Sequence, residues 1–505
     1  MKPTRIRSDI RRKRGLVIGM LVAVTMLIGA CRNNTTFNAA GTAAATVITV
    51  DSPTEIAQKS AADYNNNVNG LITAQTLQSW IDNWAVNRPA GITGRLVILQ
   101  VTTGPTGKEY ITPHRAAGVV TYRVPSGFPF NKGYSNRLVE TRSDGVFQVK
   151  AMVPDGPTMD RFFHDYNIDP TKDMLVWAMG GGGGNFQNMI LGRGWYMMRY
   201  WGVPKAHLAL LDGGASFVMA SKYMGNKASC DEDLDPSCLP DNGTFSVRYL
   251  PEDNTALQAT LEDMMHIVTP TDANNLHNGV FLWDARKIGQ YSAGLIDEAG
   301  GVPPDYMKEF QNGGSQQGHP NGALDLNYVN MLNSAAGFSY KPKKELQAYL
   351  DGDVDASGKG FVDATLQPVG PGNAYQPGDM VYTYCETTYR AMITGIVSGV
   401  ILGLPTRFYD GAMYEWHSLS NIVAANGLPI LPIDSPWRTD LIKRSFFRPA
   451  DNPALITTRV VTNPYAISGN AIVRADRAYK RGGSSSSGSS SGALAPPPNP
   501  CANAG

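Results

Sequence analysis

Cys385 stands between a strand-like run, Val381-Tyr382-Thr383-Tyr384, and an apolar, helix-like run, Ala391-Met392-Ile393-Thr394-Gly395-Ile396. A thiol at a strand-to-helix turn meets unpaired backbone N–H groups and the positive end of a helix dipole, and both stabilise the nucleophilic thiolate. Arg390 closes the turn with a permanent positive charge suited to an anionic ligand. The competing reading is a half-buried structural cysteine in an α/β turn. Spacing narrows the chemistry. Four residues, Glu386-Thr387-Thr388-Tyr389, separate Cys385 from Arg390, whereas a cysteine loop that cradles a phosphoryl group has five, which would put arginine where Ala391 stands. The tighter loop suits a terminal sulfur on the cysteine, a persulfide, better than a bound phosphate.

Other marks flank the loop. Upstream, Val280-Phe281-Leu282-Trp283-Asp284-Ala285-Arg286 reads as a strand ending in Asp-x-Arg, and Gly318-His319-Pro320-Asn321-Gly322-Ala323 as a Gly-His-x-x-Gly-Ala turn. Downstream, Arg407-Phe408-Tyr409-Asp410-Gly411 and Glu415-Trp416 form a strand with an Asp-Gly turn. Together with the cysteine loop, and in this order, these segments resemble the rhodanese (sulfurtransferase) family. The resemblance implies structural work for Asp284, Arg286 and His319. It implies catalysis by Cys385 with Arg390, and a substrate-binding loop of Glu386, Thr387, Thr388, Tyr389 and Arg390. Glu386 departs from what such a site favours, because a carboxylate beside the nucleophile opposes thiolate formation and repels dianionic thiosulfate.

The same order of features recurs nearer the N-terminus, an internal repeat of domain length. Leu96-Val97-Ile98-Leu99-Gln100-Val101 reads as a first strand, and His114-Arg115-Ala116-Ala117-Gly118-Val119 as a degenerate Gly-His turn. Leu210-Leu211-Asp212-Gly213-Gly214 reads as the closing turn. Between them a strand, Asp173-Met174-Leu175-Val176-Trp177-Ala178, leads into Gly180 to Gly184 and an aromatic helix from Phe186 to about Trp201. Glycine occupies the loop where the cysteine belongs, and Gln100 replaces the aspartate, so this copy is expected to be catalytically silent. A Gly-rich turn before a helix can cradle phosphate, but no Lys-Ser or Lys-Thr follows this one.

At 505 residues the chain exceeds one core's usual size. Its net charge of +1 gives no general reason to expect nucleic-acid binding. Lys and Arg concentrate at Arg5-Ile6-Arg7 and Arg11-Arg12-Lys13-Arg14, ahead of an apolar run from Leu16 to Ala30. That pattern is a secretory signal. It ends in Leu27-Ile28-Gly29-Ala30-Cys31, which resembles the lipobox of bacterial lipoproteins and implies lipidation of Cys31. Arg32 is not the aspartate that favours inner-membrane retention, so the expected location is the bacterial outer membrane, facing the periplasm or cell surface. Export makes the compartment oxidising, so Cys230 and Cys238, which flank an acidic run, read as a local disulfide. Cys385 is then the unpaired cysteine of the folded body.

The insertion Asp351 to Asp363 alternates carboxylates about a glycine turn. Asp353, Asp355 and Ser357 are candidate calcium ligands there, but Gly360 and Ala364 stand where an apolar residue and a bidentate acid belong, and an ordinary acidic loop is the favoured reading. No cofactor is expected.

The expected fold is α/β, with two tandem rhodanese-like domains, each a central, mainly parallel sheet with helices on both faces. The division is a signal peptide (1–30), a lipid-anchored linker (31–69), a silent first domain (70–222), a connecting segment (223–270), a catalytic second domain (271–426), a C-terminal extension (427–482) and a disordered Gly/Ser/Pro-rich tail (483–505). The expected activity moves sulfane sulfur from a donor such as thiosulfate or a mercaptocarboxylate to a thiol or sulfite-like acceptor. The alternatives are a non-enzymatic rhodanese-fold scaffold in an outer-membrane protein complex, and handling of other chalcogen oxyanions.

Overall fold

The computed structural model describes residues 37–38, 47–101, 109–126, 136–143, 148–274, 276–292, 318–416, 422–423, 431, 435–437, 459–460 and 470–482. The expected signal peptide, Cys31 and the tail beyond 482 lie outside these residues.

Two parallel sheets organise the chain. The first holds β1 (Gly70–Ile72), β2 (Leu96–Val101), β3 (Val119–Arg123), β4 (Met174–Met179), β5 (Leu208–Gly214) and β6 (Cys230–Asp231), hydrogen-bonded in the order β6-β3-β2-β4-β5-β1. The second holds β7 (Gln258–Ala259), β8 (Val280–Asp284), β9 (Leu324–Asp325), β10 (Met380–Tyr384) and β11 (Thr406–Tyr409), in the order β9-β8-β10-β11-β7. Every pairing in both sheets is parallel. Setting the edge strand β6 aside, the two orders are the same, so the repeat seen in the sequence is a repeat of topology. The α/β tandem is the architecture expected from the sequence.

Continuous apolar runs explain the central strands. Every residue of β2 and β4 is buried, as parallel strands covered on both faces require. Alternate residues feed two cores: Leu96 and Ile98 pack with Leu77, Trp80 and Ile81 of the helix Ala74–Asp82, while Val97 and Leu99 face a core shared by both domains.

That shared core is built on two helices. Helix α1 (Asn185–Tyr200) follows β4, and α2 (Tyr389–Ile396) follows β10. Both are apolar or enclosed all round: every residue from Gln187 to Tyr200, and all of α2, is buried, the pattern of a helix with no solvent face. They pack against each other at Gly192, where a Cβ would sit 2.7 Å from the Cβ of Met392. The short helix α3 (Ala412–Trp416) follows β11.

Segments expected to be peripheral are part of this body. The connecting segment supplies β6 and β7, edge strands of two residues each and too short to carry an alternation that sequence could show. Part of the expected linker folds as well: Val47–Val50 pairs with Glu252–Asp253, and Ser52 and Glu55 form a capping box on the helix Pro53–Ile56. From the extension, helix α4 (Ala471–Lys480) docks on the first domain. Its Asp476 receives both Arg142 Nη atoms at 2.7 Å and the Tyr200 hydroxyl at 2.6 Å. Tyr479 fills the space over Gly156, and Lys480 Nζ donates to the carbonyls of Trp201, at 2.8 Å, and Glu252. Burial pushes Lys480 down to about 8. Among the described residues no helix is long and apolar enough to cross a membrane.

The Arg142–Asp476 pair is almost fully enclosed, so removing one partner strands the other in the core. Arg142→Met is expected to cost about 3–5 kcal/mol, read as a lower urea midpoint of the full chain. A loss below about 1 kcal/mol, the scale of an exposed pair, would show that α4 is not held by this contact.

Candidate active site

Cys385 directly follows the last residue of β10, which pairs with β8 on one side and β11 on the other. Because Asp284 lies in register with Tyr384, the Asp-x-Arg turn runs beside the cysteine loop. The loop rests on the turn after β11. The Cys385 carbonyl accepts from Met413 N–H at 3.1 Å and the Glu386 carbonyl from Tyr414 N–H at 3.2 Å. Thr388 adopts φ +66°, a left-handed conformation that strains a β-branched residue. Its hydroxyl lies 3.0 Å from the Tyr409 carbonyl and 2.7 Å from that of Asp410. Thr388 is also the N-cap of α2, but its side chain makes no capping bond; the hydroxyl ties the loop down to the turn instead.

The sulfur is enclosed. Cys385 is 0% exposed and sits in the apolar core shared by both domains. Of the six residues from Cys385 to Arg390, Thr387 alone keeps part of its surface open. The Tyr389 ring stacks on Phe186 of α1 at 6.3 Å, so the helix of the first domain reaches the loop directly.

Glu386 does not stand alone beside the sulfur, as the sequence suggested. Its Oε2 accepts from Arg390 Nη2 at 2.9 Å and from Gln290 Nε2 at 3.2 Å, and Arg390 Nη1 donates to Gln290 Oε1 at 2.6 Å. All three side chains are buried. The physical reason is distance: Glu386 and Arg390 are four residues apart across a tight turn, and two opposite charges removed from water there must meet. Arg390 is therefore charge-compensated within the loop. Gln290 was missed from sequence, where nothing separates it from other polar residues after the Asp-x-Arg strand.

The flanking motif residues hold the frame. Arg286 binds Asp284 through Nε at 2.9 Å and Nη2 at 2.6 Å, Tyr384 Oη donates to Asp284 at 2.9 Å, and Arg286 also donates to the Gly318 carbonyl. His319 places Nδ1 2.8 Å from the Tyr291 carbonyl and Nε2 2.9 Å from Asp272, with its ring stacked on Tyr291 at 3.7 Å. None of these contacts involves the sulfur.

In the first domain the corresponding loop is closed by backbone. Gly183 has φ +80°, and a Cβ there would meet the Gly337 carbonyl at 2.7 Å; a Cβ on Gly214 would meet the Gly182 backbone at 2.2 Å. Gly214 N–H donates to the Gly337 carbonyl, and Asn188 Nδ2 to that of Phe338. A segment of the second domain thus covers the glycine loop. Gln100 bonds to the Glu109 carbonyl and the Ile111 N–H, which makes it a bridge between backbone segments.

Cys230 and Cys238 form a disulfide. In the acidic insertion, the Asp355 carboxylate accepts from the Tyr349 hydroxyl, Ser357 N–H and Oγ, and Lys359 N–H, so the loop is organised by its own hydrogen bonds. His164, Asp165 and Asp241 come close enough to share an ion, but Arg137 and Arg161 already hold the Asp165 carboxylate.

No protein-family model and no curated protein matches the chain. Among solved structures, a 3-mercaptopyruvate sulfurtransferase from Leishmania major is 13% identical, covering 71% of this chain and 76% of that one at a TM-score of 0.41. The SseA protein of Escherichia coli, described with the rhodanese fold of 3-mercaptopyruvate sulfotransferases, is 15% identical over 68% of this chain and 98% of its own, at 0.39. Tum1 of Saccharomyces cerevisiae is 12% identical over 69% and 95%, also at 0.39.

Asp212, in the closing turn of the first domain, supplies a pH test. Burial pushes its carboxyl up to about 7, against the single Tyr340 N–H that it accepts at 2.7 Å. A carboxyl raised in the folded state binds its proton more tightly there than in the unfolded chain, so stability is lost as pH rises from about 4 through about 7. Asp212→Asn keeps the acceptor and removes the charge. The variant is expected to be more stable than wild type at pH 8, the gap closing by pH 4, in denaturant titrations at both pH values. An equal gap at both would rule out this ionisation.

Proposed function

We propose that the chain is a sulfurtransferase acting through a Cys385 persulfide. The observation that carries this reading is the unpaired Cys385 at the end of a central parallel strand, at the mouth of a six-residue loop that Arg390 closes over a helix N-terminus. Its support in sequence is the ordered set of rhodanese-like motifs, whose Asp284, Arg286 and His319 hold the strand and turns beside the loop.

In the reaction, the Cys385 thiolate attacks the outer sulfur of a donor such as thiosulfate or a mercaptocarboxylate. An S–S bond forms, the donor's bond to that sulfur breaks, and its electron pair leaves on the departing group, which is sulfite in the case of thiosulfate. A thiol or sulfite-like acceptor then takes the outer sulfur and regenerates the thiolate. The helix N-terminus favours negative charge at the sulfur. Glu386 offsets the Arg390 charge, which disfavours a dianionic donor relative to a monoanionic one. Lipidation at Cys31 and an outer-membrane location complete the proposal and rest on the sequence of the first 32 residues.

The enclosure of Cys385 and the pairing of Arg390 with Glu386 favour one second reading, a protein that keeps the fold as a scaffold and no longer turns over.

Cys385→Ser is expected to abolish donor-dependent sulfur uptake in single-turnover assays. It also puts a hydroxyl into an apolar core, so it is expected to cost about 1–3 kcal/mol of stability, and Cys385→Ala serves as the companion variant. Uptake surviving in both would exclude this nucleophile. Glu386→Gln removes the carboxylate that offsets Arg390 and is expected to speed thiosulfate use by about tenfold, the equivalent of about 1.4 kcal/mol. Slower use would reverse the role assigned to Glu386.

A further inference from the structure

Besides the Phe186–Tyr389 stack, the first domain reaches the turn beneath the cysteine loop through a buried arginine. Arg193 lies in the middle of α1, is 1% exposed, and crosses to the second domain to bind both carboxylate oxygens of Asp410, the Nη2–Oδ2 contact being 3.2 Å. The rest of the guanidinium is satisfied by its own domain, with Nη2 donating to the Ala151 carbonyl at 2.8 Å and Nε to that of Leu138 at 3.3 Å. Asp410 Oδ2 also accepts from Val153 N–H at 2.7 Å. The first domain thus holds this carboxylate by three groups.

Asp410 begins the turn on which the loop rests. Its carbonyl is within 2.7 Å of the Thr388 hydroxyl, and the residues just after it, Met413 and Tyr414, donate their N–H groups to the Cys385 and Glu386 carbonyls. Three contacts fix the loop to that turn, and the turn is fixed to Arg193. Thr388 and Ala412 both hold positive φ, a conformation that persists in such residues only where surroundings impose it.

From this chain of contacts we infer that Arg193 is a positioning residue for the Cys385 loop: the first domain, having no nucleophile of its own, sets the geometry of the second domain's sulfur site through Asp410. The Arg193 hydrogen bonds given above go to Asp410, Ala151 and Leu138, so its hold on the loop passes through the turn. The inference deepens the sulfur-transfer reading and rests on it for its catalytic consequence.

The test compares full-length Arg193→Lys, Asp410→Asn and Thr388→Val with Arg95→Met, which breaks the Arg95–Asp173 pair just before β2 and β4, at the end of the first sheet away from the start of α1. Hydrogen exchange read by mass spectrometry is expected to quicken on the order of tenfold or more in peptides spanning 385–392 and 410–416 in the first three variants. Arg95→Met should leave those peptides at wild-type rates. Single-turnover sulfur uptake should slow about 10- to 100-fold in the same three, the scale of a small misplacement of reacting groups. If Arg193→Lys does not fold, Asp410→Asn and Thr388→Val interrogate the same contacts from the other end. Exchange in both peptides matching that of Arg95→Met overturns the inference. A wild-type chain that takes up no sulfur would sink the transfer reading, while the exchange data would still decide the coupling.

Discussion

The structure depends on the close packing of α1 against α2. Each is the helix that follows the central strand of its sheet, and neither has a face left for water. Joining them puts two cores into one and takes the polar groups of α1 from Gln187 to Tyr200, and those of α2, out of solvent. A buried guanidinium without a partner is costly by several kcal/mol, so Arg193 fixes where Asp410 must lie, and Asp410 fixes where the second domain's closing turn must lie. The glycine at 192 is what lets the helix backbones approach. Geometry at the sulfur is therefore set by packing at the domain seam rather than by the loop's own sequence.

The same constraint governs charge at the site. In water, Glu386 would oppose a neighbouring thiolate and Arg390 would attract an anion. Inside the seam both lose solvent, and they pair with each other and with Gln290. What remains for the sulfur is the end of α2 and a shell of apolar neighbours. The loop's recognition of a donor then rests less on net positive charge than its arginine would suggest.

Much of this was legible in the sequence. The buried runs Leu96–Val101 and Met174–Met179 read as strands because both faces are covered, and the order of motifs showed the repeat. Cys385, the Asp284–Arg286 turn and the glycine loop stood out by residue type and spacing. What could not be read are consequences of three-dimensional proximity. Arg193 and Asp410 are 217 residues apart, and nothing local marks either as the other's partner. Gln290 becomes part of the loop only because β8 lies beside β10. The two-residue strands at the sheet edges carry no period, and α4 reads as a polar extension until Asp476, Tyr479 and Lys480 are seen to enter the first domain.

Sulfur transfer through Cys385 is tested by the intact mass of the wild-type protein after incubation with thiosulfate or mercaptopyruvate, followed by peptide mapping. A gain of one sulfur is expected, located on the peptide containing Cys385 and removed by added thiol. No gain with either donor, or a sulfur found on another residue, would contradict it.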